Sequence, residues 1–181
     1  SATPSTPIDT SVDCARIFTR PSADALAGEK LGSPTREGFS GLTACRWTSA
    51  RTGTYVQVVA VPGATWAKVL PSAIGTVLDS DLQFEGRDKL DQALRLVRSG
   101  GTLTSTAACG IFSTMVTSLQ GQPKGSTEVF NYVPSDDAPQ ALNGQACVRG
   151  RYYSVQLASA DLKAGPALNS RITRALHLLT R

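Results

Sequence analysis

Four cysteines and one histidine are the side chains of this 181-residue sequence best suited to covalent or metal chemistry. The cysteines stand at Cys14, Cys45, Cys109 and Cys147, and none belongs to a Cys-x-x-Cys pair. A zinc knuckle or a thioredoxin-type site wants that spacing, and one histidine is too few for a mixed Cys/His set, so no metal is expected. Oxidation to two disulfides is the natural chemistry and implies an oxidising, extracytoplasmic compartment. The competing reading is four buried, reduced thiols in a cytosolic protein. His177 sits in Leu176-His177-Leu178-Leu179 with Arg174 and Arg181 one helical turn away on either side. A general base wants an orienting carboxylate instead.

Acidic residues gather at Asp79, Asp81, Glu85, Asp88 and Asp91 and again at Asp136-Asp137. Hydrolysis by paired carboxylates needs two acids facing one cleft, which spacing alone does not establish. The run from Asp79 to Gly86 departs from a calcium loop, lacking the glycine at its sixth place and the closing bidentate glutamate. No Gly-x-Ser-x-Gly turn occurs, and Gly121-Gln122-Pro123-Lys124-Gly125-Ser126 puts a proline where a phosphate cradle wants free N–H groups. No catalytic residue and no cofactor are expected, and the chain reads as a non-enzyme.

Side chains suited to non-covalent binding are better organised. Arg149 and Arg151 flank a turn before Tyr152-Tyr153, and Arg171, Arg174 and Arg181 follow one face of the last helical segment. From residue 141 onward six basic residues face one acid. Arginine grips phosphate and carboxylate in bidentate fashion, so these five arginines are the expected site for an anionic ligand or partner. An ordinary solvated helix face is the alternative. Trp47, Tyr55 and Trp66 are expected either to line an apolar cleft between helix and sheet or to pack as core.

The elements that must hold these residues follow from periodicity. Residues 65–79, 88–98, 105–119 and 166–180 carry apolar side chains at helical spacing. Pro71 calls for a kink or a fresh start, and Asp91 and Arg95 stand where an i, i+4 pair forms. A Ser/Thr cap opens the third segment and Pro166 the fourth. Strands are expected at 42–48, 53–61, 127–133, 146–149 and 151–159. Clustered strands flanked by helices, without regular alternation, predict an α+β fold with a mostly antiparallel central sheet. At 41% hydrophobic residues the chain can build a core. Its 18% of charged residues is low, and 18 serines and 19 threonines supply the polar surface instead. That composition excludes a coiled coil and a disordered chain. No run of apolar residues is long enough to span a membrane. Residues 1–13, rich in Ser, Thr and Pro, read as a disordered tether whose upstream anchor has been removed.

The sequence also repeats itself. Cys14-Ala15-Arg16-Ile17-Phe18 is echoed by Cys109-Gly110-Ile111-Phe112, and Ala44-Cys45-Arg46-Trp47 by Ala146-Cys147-Val148-Arg149. Each second cysteine precedes a strand opening at tyrosine, Tyr55 or Tyr153, and then an amphipathic helix. Residues 14–181 are therefore expected to form one domain built from two related halves, 14–100 and 101–181. That duplication predicts one disulfide within each half, Cys14–Cys45 and Cys109–Cys147.

Val12-Asp13-Cys14-Ala15-Arg16-Ile17-Phe18 together with Ala44-Cys45-Arg46-Trp47-Thr48-Ser49 resembles a group of actinobacterial envelope lipoproteins of unknown function, of mycobacterial and corynebacterial type, with paired cysteines. An excess of arginine over lysine, 13 to 5, suits the same source. The resemblance implies a secreted α+β domain tethered to the cell membrane through a lipid anchor or an upstream transmembrane helix. It carries over no catalytic residue. The expected function is an accessory, sensor or binding subunit for an envelope membrane protein or an anionic envelope ligand. A lipid or small-molecule carrier is the alternative, and a cell-wall hydrolase the third reading. Nucleic acid is not an expected partner. Non-reducing peptide mapping should recover Cys14 linked to Cys45 and Cys109 linked to Cys147. A Cys45–Cys109 peptide, or four free thiols, would contradict both the pairing and the compartment.

Overall fold

The structure, a computed structural model, describes residues 7–181. Among the described residues seven helices accompany a six-stranded antiparallel sheet, an α+β fold. In chain order these are α1 (Cys14–Ile17), α2 (Arg20–Ala27), β1 (Thr35–Phe39), β2 (Leu42–Thr48), β3 (Tyr55–Pro62), α3 (Gly63–Ala67), α4 (Leu70–Leu78), α5 (Arg87–Arg98), α6 (Ser105–Leu119), β4 (Glu128–Val133), β5 (Ala141–Val148), β6 (Arg151–Ala158) and α7 (Pro166–Leu179). The strand order is β1-β2-β3-β6-β5-β4, three consecutive strands followed by three in reverse. In register, Cys45 of β2 faces Arg36 of β1 and Val58 of β3.

Both expected disulfides are present, Cys14–Cys45 and Cys109–Cys147, and no described cysteine is free. Each joins a helix to the middle strand of a three-strand run. They span 31 and 38 residues of sequence. Closing loops of that length removes roughly 3–4 kcal/mol of unfolded-state freedom apiece in the chain-entropy model.

The expected helices appear close to their predicted bounds. The first divides into α3 and α4 because Pro71 can stand only in the opening turn of a new helix. Thr104 caps α6, its hydroxyl accepting from Ala107 N–H at 3.1 Å. The expected Asp91–Arg95 pair is replaced. Asp91 lies 3.4 Å from Arg87, one turn earlier, and Arg95 Nε donates to the Asp91 main-chain carbonyl. Two elements were not foreseen. Thr19 caps α2, Pro21 stands in its first turn and Gly28 ends it with φ +74°. Strand β1, Thr-Arg-Glu-Gly-Phe, lacks the apolar alternation of a strand and forms by pairing with β2. Strand β5 also starts earlier than expected. Its Gly144 has no Cβ, and one placed there would stand 3.0 Å from the Phe130 ring.

The chain forms two compact units, each drawing on both sequence halves. The first runs to Ala60 and takes in Phe130–Gln145 and Tyr153–Arg181. In its core the Phe18 ring meets Trp47 edge-on at 6.0 Å, and Ile172 and Leu176 of α7 are sealed from solvent. Of the expected tether, residues 1–6 lie outside the described residues. Beyond them the chain is bonded: Asp9 N–H donates to Thr43 Oγ1 at 2.8 Å, and Arg36 Nε to the Val12 carbonyl at 2.8 Å.

The second unit is Val61–Val129 with Ala146–Tyr152. Its centre is an aromatic triad: Trp66 stacks on Tyr152 at 5.3 Å, and Phe112 stands edge-on to both. Beside it Gly63 N–H donates to Gly150 O at 2.8 Å, and Ala64 N–H to Ser105 Oγ at 3.1 Å. A Cβ on Gly63 would fall 2.6 Å from the Ser105 carbonyl oxygen, closer than carbon and oxygen can approach. Gly63→Ala should therefore destabilise the protein by about 1–3 kcal/mol, because α3 must move away from α6 to accept one methyl group. Urea unfolding followed by tryptophan fluorescence measures this, and an unchanged midpoint would contradict the close approach.

Candidate functional site

Two of the five predicted arginines meet in one place. Arg171 and Arg174, at i and i+3 on α7, line a groove of about 270 Å³ with Ala175 and Leu178 of the same helix and Pro21, Ser22, Ala25 and Leu26 of α2. Helix α2 is held for this by two of its own polar side chains. Arg20 Nε and Nη2 donate to the Leu31 carbonyl at 3.0 and 2.7 Å, and Asp24 Oδ1 accepts from Leu31 N–H at 2.9 Å. Arg171 Nη2 donates to the Leu26 carbonyl at 2.8 Å, near the C-terminal end of α2. Carbonyls at that end carry partial negative charge and suit a cation. Arg171 Nε is shielded from solvent and has no hydrogen-bond partner. Arg174 is exposed, and 42% of Leu178 is open to solvent. The groove thus combines two guanidinium groups with aliphatic walls, which suits an anionic group carried on an apolar body.

The remaining predicted residues stand elsewhere. Arg181 follows α7 at the described end of the chain and is exposed. Arg149 and Arg151 belong to the other compact unit, at the β5–β6 turn, where Arg149 and Gly150 both have positive φ. That is the backbone a two-residue hairpin of type I′ requires. Of the two expected arrangements of the aromatics, the tryptophans take the core one. Trp47 and Trp66 are 1% and 4% exposed, each packed among the aromatic rings of a different compact unit. Aromatic area of that size gains more from core packing than from lining a cleft. Tyr55 is half-buried, with the Arg46 guanidinium 4.1 Å above its ring. His177 is exposed on α7, and no three His, Cys, Asp or Glu side chains gather to hold a metal among the described residues. Asp79 pairs with Arg98 at 3.6 Å and Asp91 with Arg87.

Two further cavities were not anticipated. One, of about 490 Å³, lies along α5 and α6 and is lined chiefly by Ala93, Leu96, Leu103, Ala107 and Ile111, with Lys89 at its rim. The other, of about 580 Å³, crosses the strand ends of the first unit from Tyr55 of β3 to Gln156 and Ala158 of β6, Ala141 of β5 and Val133 of β4. Its rim includes Thr52 and Gly53 of the β2–β3 turn. The α2 half of the arginine groove was legible in principle from the Thr19 cap, Pro21 and the Gly28 stop. A neutral cavity offers no comparable motif.

No protein-family model, no curated protein and no solved structure matches the chain. Among the described residues no helix is long and apolar enough to cross a membrane. The two disulfides point to an extracytoplasmic location.

Glu29, just beyond α2, fastens the β2–β3 turn. Its Oε1 accepts from Thr52 Oγ1 at 2.7 Å, and hydrogen bonds from the Ser49 and Thr52 hydroxyls hold its carboxyl below the ordinary carboxylate range. A lowered folded-state pKa contributes stability above the unfolded value of about 4.3 and loses it as pH falls through the folded value. Glu29→Gln should therefore melt below the wild type at pH 7, and the gap should narrow as the pH falls from the unfolded value through the lowered folded one. Paired thermal melts test this; a gap that widened in acid would reverse the sign.

Proposed function

We propose that the chain is a non-enzymatic, extracytoplasmic envelope domain, tethered to the cell membrane, that serves as an accessory, sensor or binding subunit. Its resemblance to actinobacterial envelope lipoproteins supports the setting. The α2–α7 groove carries the mode of action: two arginines on one wall of an aliphatic trough, one already positioned by a main-chain carbonyl. Such a groove takes the phosphate or carboxylate of an envelope ligand, or an acidic apolar segment of a membrane protein. Shared element order supports reading the two sequence halves as copies of one unit. In both, a cysteine-bearing helix leads to three strands with the second cysteine on the middle one, and then to a helix.

A carrier of lipids or other apolar small molecules is the second reading. The α5–α6 groove favours it, since about 490 Å³ with mostly aliphatic lining falls within the usual size of small-molecule sites.

Cosedimentation with vesicles of phosphatidylglycerol and phosphatidylcholine, alongside pull-down from solubilised envelope membranes, tests the leading reading. Arg174→Ala should weaken capture of the anionic vesicles or of the recovered membrane protein about tenfold, the loss expected for one charge-assisted hydrogen bond. Added salt should weaken it further. Equal capture by wild type and variant, or no capture of either, would overturn the proposal.

A further inference from the structure

The groove between α5 and α6, which lies wholly within the second compact unit, is polarised along its length. Lys89, Gln92, Ala93 and Leu96 line it from one face of α5, at i, i+3, i+4 and i+7. Facing them are Leu103, just before α6, and Ala107, Gly110 and Ile111 along it. Lys89 stands at one end, where a Cβ on Gly110 would lie 3.4 Å from its Nζ. Leu96 stands at the other, beside the turn into α6, and Gly101 N–H donates to its carbonyl at 2.9 Å. Gly101 also leaves the leucine side chain its place, since a Cβ there would fall 2.4 Å from Leu96 Cδ1. Ala93 and Ile111 are buried, whereas Leu96 is 40% exposed and Ala107 is exposed, so a ligand in the groove reaches apolar surface directly.

Among the described residues lining the groove Lys89 is the one charged side chain, and it is exposed. It makes no ion pair or hydrogen bond with any described residue. Asp91, two residues on, is taken by Arg87 at 3.4 Å. An ammonium group left without an acid attracts an anion, and Gln92, one turn beyond it, has a side-chain N–H to offer the same group. The aliphatic remainder of the groove attracts an alkyl chain. One cation matches one negative charge, so the head that fits is a carboxylate. From Lys89 to Leu96 the helix advances about 10 Å, which suits a tail of medium length. We infer that the α5–α6 groove binds a free fatty acid of medium chain length, its carboxylate on Lys89 and its tail running to Leu96 and Leu103. This rests on the carrier reading and names the ligand class that reading leaves open.

The ¹⁵N-labelled full chain would be titrated with hexanoate, octanoate, decanoate and laurate, all below micelle formation. Decanol and decyltrimethylammonium serve as the neutral and cationic counterparts. The acids should give saturable shifts at the Leu96, Leu103 and Gly110 amides. Affinity should rise about two- to fourfold per added methylene while the tail lies in the groove, and level off once it passes Leu96. Decanoate should bind about fivefold more tightly than decanol, and Lys89→Gln should remove that difference while leaving decanol binding unchanged. Gly110→Leu should abolish binding of both by filling the groove. Only the movable Lys89 ammonium stands near its new Cβ, and leucine is the better helix former, so the fold is kept. Arg174→Ala should leave the shifts as they are, because the arginine groove shares none of these side chains. The inference falls if no acid gives saturable shifts at these amides, if decyltrimethylammonium binds as tightly as decanoate, if Arg174→Ala removes the shifts, or if either folded groove variant binds decanoate like the wild type. Decanol held in the groove as tightly as decanoate would overturn it and keep the carrier reading; no binding of any alkyl compound would overturn both.

Discussion

The two cystines are the constraint on which the rest of the structure depends. Each fastens a helix to the middle strand of a three-strand run, α1 to β2 and α6 to β5. The middle strand is where a covalent strut does most, because fixing it also fixes both neighbours through their hydrogen-bonded ladders. The surface ion pairs add little to this. The ion pairs Glu29–Arg51 and Asp79–Arg98 are long, at 4.0 and 3.6 Å, and partly exposed, so solvent screens most of their attraction. Helix α1 has four residues, too few to persist on its own, and it is held where Cys14 meets Cys45.

Within each compact unit the cystine lies next to the side chains that matter most. In the first, the chain passes from Cys14 directly to Phe18, whose ring meets Trp47 two residues beyond Cys45. It then enters α2, one wall of the arginine groove. In the second, Cys109 lies on α6 between Ser105, which receives the start of α3, and Phe112, which completes the aromatic triad. Covalent and apolar anchoring thus coincide. The arginine groove itself is braced by hydrogen bonds, Arg171 to the Leu26 carbonyl across it and Arg20 and Asp24 to Leu31, which favours recognition by pre-formed shape over closure on a ligand.

Much of the scaffold was legible from residue pattern. Helices α5, α6 and α7 and strands β2, β3, β4 and β6 show clear apolar periodicity with caps or turns at their ends. The cysteine pairing followed from the echo of Cys14 and Cys45 by Cys109 and Cys147. What escaped had physical reasons. Strand β1 takes its identity from its partner, since Thr35, Arg36 and Glu37 carry no strand signal. Strand β5 was cut short because Gly144 interrupts its apolar alternation, although that glycine makes room for Phe130. Trp47 and Trp66 take the core alternative and Tyr55 is half-buried, a choice left open in the sequence because nothing in their spacing separates a wall from an interior. Of the candidate residues, the i, i+3 spacing placed Arg171 and Arg174 on one helix face, and that face lines a groove. The helix of the opposite wall is marked by Thr19, Pro21 and Gly28, but its lining residues Pro21, Ser22, Ala25 and Leu26 carry no charge that would single them out as a wall.

One consequence follows from the order of the strands. A sheet reading β1-β2-β3-β6-β5-β4 ends in β1 on one side and β4 on the other, and outer strands are where foreign backbone can add itself. Here both margins resist such growth. Strand β1 carries Arg36 and Glu37 and breaks its side-chain row at Gly38, while β4 runs straight into Pro134, which has no N–H to offer. Two chains meeting margin to margin find charge on one side and a missing donor on the other. The architecture therefore disfavours fibre-like stacking even where many copies are crowded together.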